Sequence, residues 1–238
     1  MDYFLAESDN IQGDHVALTG DEYKHLSRVL RKRVGDHVFV TDGKGRMYEV
    51  IIRSFTRTEA QCSVVQVIER WNEPRTEVTL AISLLKNPAR FDFVIEKATE
   101  LGVSTIIPLV CERTIPRQEK HPRLEKIAVS ALKQSGRSVL PQIFVLTRFE
   151  TLIRNAERHG LKLVAHEKTE QSQFIGSVMK HHRELKSVLL VIGPEGGLTP
   201  EEVSQADERG FVSVSLGPRR LRSETAAISA LSWVVGGM

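Results

Sequence analysis

From residue 77 onward, apolar strand-like runs alternate with helical segments: 77–85, 105–110, 142–146, 161–165, 187–192 and 212–216. Strands this apolar have no face to give to water, and parallel neighbours need a crossover between them. The pattern therefore demands an α/β fold, a parallel sheet covered by helices on both faces. Between the runs, 91–101 reads as a helix closed by Gly102, and a basic helix lies around 123–134.

The chain before residue 71 follows a different rule. Short runs at 38–41, 47–52 and 60–68 are separated by turn residues, with Asp42-Gly43-Lys44-Gly45 a strong local turn. After Thr19-Gly20-Asp21, a short helical stretch places Leu26, Val29 and Leu30 on one face. This reads as a small β-rich barrel or sandwich with one helix. Trp71-Asn72-Glu73-Pro74 reads as a linker, since proline pushes the residue before it out of helical geometry. The expected organisation is a small domain over 1–70, a linker over 71–75 and an α/β domain over 76–238.

A chain of 238 residues with 41% hydrophobic and 26% charged residues can bury a core without disulfide or metal staples. No apolar run approaches about 20 residues, so no membrane span is expected. The first residues lack a basic segment followed by an apolar one, and Cys62 and Cys111 are too few for a disulfide framework. A cytoplasmic location is the expectation. The eight histidines show no paired spacing, so no metal site is expected either.

The net charge of +3 conceals two basic patches. Lys24, Arg28, Arg31, Lys32 and Arg33 fall within ten residues that hold no acid. A second concentration runs from Arg113 to Arg137 against only Glu119 and Glu125. Such patches suit a phosphate backbone, although a solvated helix face is the commoner reading of any one of them.

The chemistry concentrates in two loops. Strand 187–192 runs into Gly193-Pro194-Glu195-Gly196-Gly197-Leu198, then Thr199-Pro200-Glu201-Glu202 opens a helix: Thr199 as N-cap, Pro200 at the first position, Glu202 completing a capping box. Ligands in parallel sheets bind beyond the carboxyl ends of strands, where this loop falls. It is neither G-x-G-x-x-G nor a phosphate-binding P-loop. The next strand ends in Ser215-Leu216-Gly217-Pro218-Arg219-Arg220-Leu221-Arg222-Ser223-Glu224-Thr225-Ala226. Ser223 suits an N-cap there, with Glu224 in the first turn. The helix that follows is apolar nearly all round and must be buried in a core or an interface. Three arginines ahead of it need an anion or carboxylates. His166-Glu167, after strand 161–165, could line the pocket, but a histidine at a strand end is more often surface.

These two loops together resemble the ribosomal RNA small-subunit methyltransferase E family, of the knotted SPOUT class. Phe91–Pro108, Gln134-Ser135-Gly136-Arg137 with Pro141, and Gly35-Asp36 with Asp42–Gly45 and Tyr48 extend the resemblance over nearly the whole chain, in order. Arg220, Ser223 and Lys133 depart from it, standing where isoleucine, threonine and an acidic residue are expected. The resemblance implies a SPOUT-type trefoil-knot methylase domain behind a PUA-like RNA-binding barrel. It implies S-adenosyl-L-methionine as cofactor, methylation of uridine N3 in 16S ribosomal RNA of the small subunit, and a homodimer. Cofactor contacts then fall on Ile192, Gly193, Gly196 and Gly197 in the first loop. In the second they fall on Ser215, Leu216, Gly217, Leu221 and Ala226. RNA contacts fall on Lys24, Arg28, Arg31, Lys32, Arg33, Arg113 and Arg137.

Uridine N3 carries a proton at neutral pH, so transfer to it requires loss of that proton and stabilisation of charge on O2 and O4. Arg222 is the candidate for stabilising that charge. Glu195 and Glu224 are candidate proton acceptors, or anchors for an arginine or a helix N-terminus. A ribose-hydroxyl methylase of the same class and a non-catalytic RNA-binding protein are the alternatives.

Overall fold

The computed structural model describes residues 2–167, 169, 173–182 and 185–236. It divides into two compact units: Met1–Glu73 with Val129–Leu140, and Pro74–Ala128 with Pro141–Met238. The division is thus not a single cut near residue 71, because a later segment groups with the first unit.

In the first unit, strands β1 (Tyr3–Leu5), β2 (Ile11–Gln12), β3 (His15–Thr19), β4 (His37–Thr41), β5 (Arg46–Phe55) and β6 (Glu59–Glu69) form a sheet in the order β1-β4-β5-β6-β3-β2. All pairs are antiparallel except β1 with β4. One face is buried: Val38 and Val40 of β4 and Val16 and Leu18 of β3 join Phe4, Val50, Ile52 and Leu26 in a core. Register shifts after Glu49 and Ile52 mark bulges that bend β5. The turn expected at Asp42–Gly45 forms. Asp42 Oδ1 accepts from the Lys44 and Arg46 N–H groups at 2.7 and 3.1 Å, and Gly43 and Gly45 take positive φ.

Two sequence expectations fail here. The helical face of Leu26, Val29 and Leu30 is broken: helix α1 (Gly20–Lys24) widens over His25–Val29 into a π-type turn, with the Leu30 N–H donating to the His25 carbonyl at 3.0 Å. Leu26 is buried and Leu30 packs on the core, but Val29 is 68% exposed. The extra residue in the turn rotates Val29 off the apolar face. The linker reading also fails at Glu73. Its carboxylate is buried against Arg137 (Nη2 to Oε2, 2.6 Å) and accepts from the Ser138 and Val139 N–H groups, each at 2.8 Å.

In the second unit, β7 (Glu77–Ser83), β8 (Thr105–Val110), β9 (Gln142–Ile143), β10 (Thr147–Arg148), β11 (Leu161–Ala165), β12 (Ser187–Ile192) and β13 (Val212–Val214) are all parallel. They run β10-β8-β7-β12-β11-β13, with β9 beside β8. The central strands are almost wholly buried, as their unbroken apolar runs require. The runs at 142–146 and 212–216 shrink to β9 and β13, since they sit beside only one strand each. Helix α2 (Pro88–Glu100) starts at Asn87, whose side chain accepts from the Ala89 N–H, with proline at the first position. It ends at Gly102, where φ is +100° and a Cβ would lie 2.4 Å from Pro74.

Helices α3 (His121–Ser135), α4 (Phe149–Arg154), α5 (Ile175–Lys180), α6 (Pro200–Glu208) and α7 (Ser223–Gly236) complete the chain. Ser223 is the first helical residue, and the Arg222 carbonyl accepts the first helical bond, from Ala226 N–H at 2.8 Å. The capping position therefore belongs to Arg222 rather than to Ser223. Helix α7 packs on α2, α5, β7 and β12 through Ala227, Ala230, Leu231 and Val234, with Trp233 41% exposed on its outer side.

Candidate functional site

Three parallel strands end level with one another. Ala165 of β11 pairs with Ile192 of β12 on one side and Val214 of β13 on the other. The loops that follow rise from one edge and enclose a cavity of about 710 Å³. His166 and Glu167 come from the first loop, Gly193–Glu195 and Gly197–Leu198 from the second, and Ser215–Ser223 from the third. Arg90, in the first turn of α2, closes the wall.

The glycine loop is anchored at several points. Its Pro194–Gly197 turn is closed by the Gly197 N–H to the Pro194 carbonyl at 2.8 Å. The Lys86 N–H donates to Glu195 Oε1 at 2.9 Å, and Arg113 Nη1 donates to the Gly196 carbonyl at 2.9 Å. Behind it the capping box forms as its sequence demands: Thr199 Oγ1 accepts from the Glu202 N–H and Glu202 Oε2 from the Thr199 N–H. Glu202 is buried, and its other oxygen takes the Glu112 N–H at 2.9 Å. Burial first, and that carboxylate second, push the Cys111 thiol up to about 12.

The cavity can take a ligand read by main-chain groups. Gly197 and Gly217 both line it, both hold positive φ, and beyond their own chain neighbours no atom lies within 4 Å of the place a Cβ would occupy. Peptide N–H and C=O groups therefore come to the cavity surface without side-chain cover. A volume in this range suits a nucleoside-sized ligand. The third loop is stiffened by the Gly217 N–H to Ser215 Oγ bond at 3.2 Å.

Of the residues singled out from sequence, Ile192, Gly193, Gly197, Ser215, Leu216, Gly217, Leu221 and Ala226 line the cavity, as do Glu195 and Arg222. Gly196 does not. It is exposed on the outer side of the loop, and a Cβ there would meet the Arg113 side chain at 3.3 Å. Glu224 is not among the lining residues either; its Oε1 lies 3.5 Å from Arg90 Nε, and its Oε2 is buried with no hydrogen bond among the described residues. His166 and Glu167 line the cavity, the pocket side of their two readings, and Glu167 pairs with Arg220 at 3.3 Å.

Arg137 must be corrected outright: it is 2% exposed and paired with Glu73, so it is not placed to meet RNA phosphates. Lys24 and Lys32 are paired with Asp21 and Asp2. Arg28, Arg31 and Arg33 are exposed, with no ion pair among the described residues. Sequence reasoning missed Arg90. Its signal was the Asn87-Pro88 helix start just after an apolar strand, which sets Arg90 in a first turn at the ligand edge.

A parallel sheet with a glycine-lined, arginine-rimmed cavity at its carboxyl edge is the architecture of an RNA methyltransferase domain, and the model of that family matches residues 72–235. A second model, the RNA methyltransferase PUA domain, matches residues 18–65. The ribosomal RNA small subunit methyltransferase E of Bacillus subtilis is 30% identical over 91% of this chain and 88% of its own. That of Synechocystis is 35% identical over 92% and 72%. A crystal structure of the Neisseria gonorrhoeae enzyme bound to S-adenosyl methionine superposes with a TM-score of 0.84 at 29% identity, covering 98% of this chain and 95% of that one. The chain belongs to the ribosomal RNA small subunit methyltransferase E family. Its fold is that of a SPOUT-type methyltransferase with a PUA domain at the N-terminus.

Proposed function

We propose that this protein transfers a methyl group from S-adenosyl-L-methionine to N3 of a uridine in 16S ribosomal RNA. The observation that carries the reading is the cavity at the level ends of β11, β12 and β13, walled by main chain at Gly197 and Gly217 and rimmed by arginines.

When bound, the cofactor supplies a methyl carbon on a positively charged sulfur, which departs neutral with the carbon–sulfur electron pair. The residues that would hold it are Ile192, Gly193 and Gly197 of the second loop and Ser215–Gly217, Leu221 and Ala226 of the third. Their main-chain groups suit the edges of a purine, and their rigidity holds two reactants in line, which can supply much of the acceleration. Arg222, at the N-cap of α7, donates to a uracil carbonyl that gains charge as the N3 proton leaves. Glu195 fixes the glycine loop by accepting the Lys86 N–H at Oε1, and its Oε2 is the oxygen that would take the proton. Methyl transfer leaves the N3 electron pair in the new N–C bond and the proton with water or a carboxylate.

The first unit supplies RNA affinity through Arg28, Arg31 and Arg33, with Lys24 and Lys32 on the same stretch, and Arg113 adds charge beside the glycine loop. That the first unit is the RNA-binding domain and the second the methylase domain is part of this proposal. So are a trefoil-knotted path in the methylase domain, pairing of two subunits through the outer face of α7 around Trp233, and a cytoplasmic location. Among the described residues no helix is long and apolar enough to cross a membrane. Incubating the protein with methyl-labelled S-adenosylmethionine and small subunits lacking the modification tests the reading. Label should enter 16S RNA; label in protein or in no RNA contradicts it.

A further inference from the structure

We propose that Arg90 is a second guanidinium acting on the target base, and that Glu224 positions it there. The inference rests on the function proposed above and extends it to residues in distant parts of the chain. Arg90 is held by the first turn of α2, a helix fixed by the Asn87 cap and Pro88, and it lines the same cavity as Arg222. Its Nε faces Glu224 Oε1 at 3.5 Å. Glu224 is the second residue of α7, so the partial positive charge of that helix end favours its carboxylate. Its side chain is 11% exposed against 37% for Arg90, so the carboxylate sits behind the arginine and the arginine faces the cavity. Glu224 Oε2 is buried and unbonded among the described residues, and leaving such an oxygen unpaired is costly unless the pair serves another purpose.

The pairing selects the ligand chemistry. A bare guanidinium would bind a permanent anion, such as the carboxylate of the cofactor, equally in the ground and transition states. One already balanced by a carboxylate is a weaker trap for a fixed charge, yet it still offers its terminal N–H donors to a carbonyl. A uracil carbonyl is neutral before reaction and gains charge only as N3 loses its proton, so the interaction strengthens where it accelerates the reaction. Uracil N3 is flanked by two such carbonyls, O2 and O4. Arg222 and Arg90 can therefore take one each and leave N3 open to the methyl group.

Single-turnover methylation of purified small subunits, with cofactor saturating, tests this. Arg90→Met should lower the chemical step about 10²-fold, the loss of one preorganised donor, with cofactor affinity by calorimetry unchanged, while the thermal midpoint falls because Glu224 is left without its cation. Glu224→Gln should slow the same step about tenfold, and in the Arg90→Met background it should add no further loss, because it acts only through Arg90. A purely structural Glu224 would instead slow both backgrounds alike and lower the midpoint in both. Arg90→Lys, which keeps the charge and the stem, should also slow the step, and it decides the matter if Arg90→Met fails to fold. A normal chemical step in Arg90→Lys and Arg90→Met, or weakened cofactor binding with normal chemistry, overturns the proposal. Absence of N3-methyluridine with the unaltered protein would instead overturn the function on which it rests.

Discussion

Arg222 and the two cysteines show what single side chains are expected to do. A guanidinium stays protonated at neutral pH, so Arg222 cannot be the base, but it can aim two N–H donors at one uracil carbonyl. A lysine matches the charge and not the fork. Arg222→Lys should therefore keep cofactor affinity while raising the barrier of the chemical step by about 3 kcal/mol, read by single-turnover kinetics. A near-normal step would remove Arg222 from the mechanism. Burial pushes Cys62 up to about 11 and Cys111 up to about 12, so at pH 8 both are thiols rather than thiolates. A thiol reagent should modify neither in the folded protein and both in denaturant. Rapid labelling of the native chain would show that the end of β8, where Cys111 lies, opens.

At the scale of elements, the glycine loop and the basic stretch make separable predictions. Gly197 holds φ at +71° on the cavity wall. Gly197→Val should abolish cofactor binding by calorimetry while the circular dichroism spectrum stays native. Gly196→Val should act differently, since Gly196 faces outward against Arg113. Its effect should run through the Arg113 anchor, so Arg113→Ala should weaken cofactor binding as Gly196→Val does. Equal loss from Gly197→Val and an exposed control would contradict the placement of the cavity. Replacing Arg28, Arg31 and Arg33 by alanine should weaken RNA binding, with cofactor affinity untouched. It should also flatten the salt dependence of that binding, by about one unit of slope for each phosphate no longer neutralised. An unchanged slope would return the stretch to a solvated face.

The same scale explains what could be seen in sequence. The Thr199–Glu202 capping box and the Asp42–Gly45 turn were legible because their bonds close within four residues. Strands β8 and β12 were legible to the residue because burial on both faces writes a nearly continuous apolar run, and β11 was legible although Lys162 interrupts its run. Arg90 with Glu224, and Glu73 with Arg137, were not, because each pair is joined only by the fold. Val29 misled for a subtler reason: a π-type turn changes the helical period, and no residue type marks it.

For the molecule as a whole, the Glu73–Arg137 pair is one of several contacts that join two distant segments of the first unit, and its side chains are only 3% and 2% exposed. Glu73→Ala strands a buried arginine and should cost about 3–5 kcal/mol in urea unfolding. A loss under about 1 kcal/mol would mean that water reaches the pair. If the outer face of α7 pairs subunits, light scattering at micromolar concentration should give twice the chain mass of 26.8 kDa. The most direct measurement is the identity of the product. Small subunits lacking the modification are incubated with the protein and S-adenosylmethionine, and the 16S RNA is digested to nucleosides for mass spectrometry. The account predicts a single new nucleoside, 3-methyluridine, at up to one per subunit. A ribose-methylated nucleoside, or no methylated nucleoside at all, would contradict it.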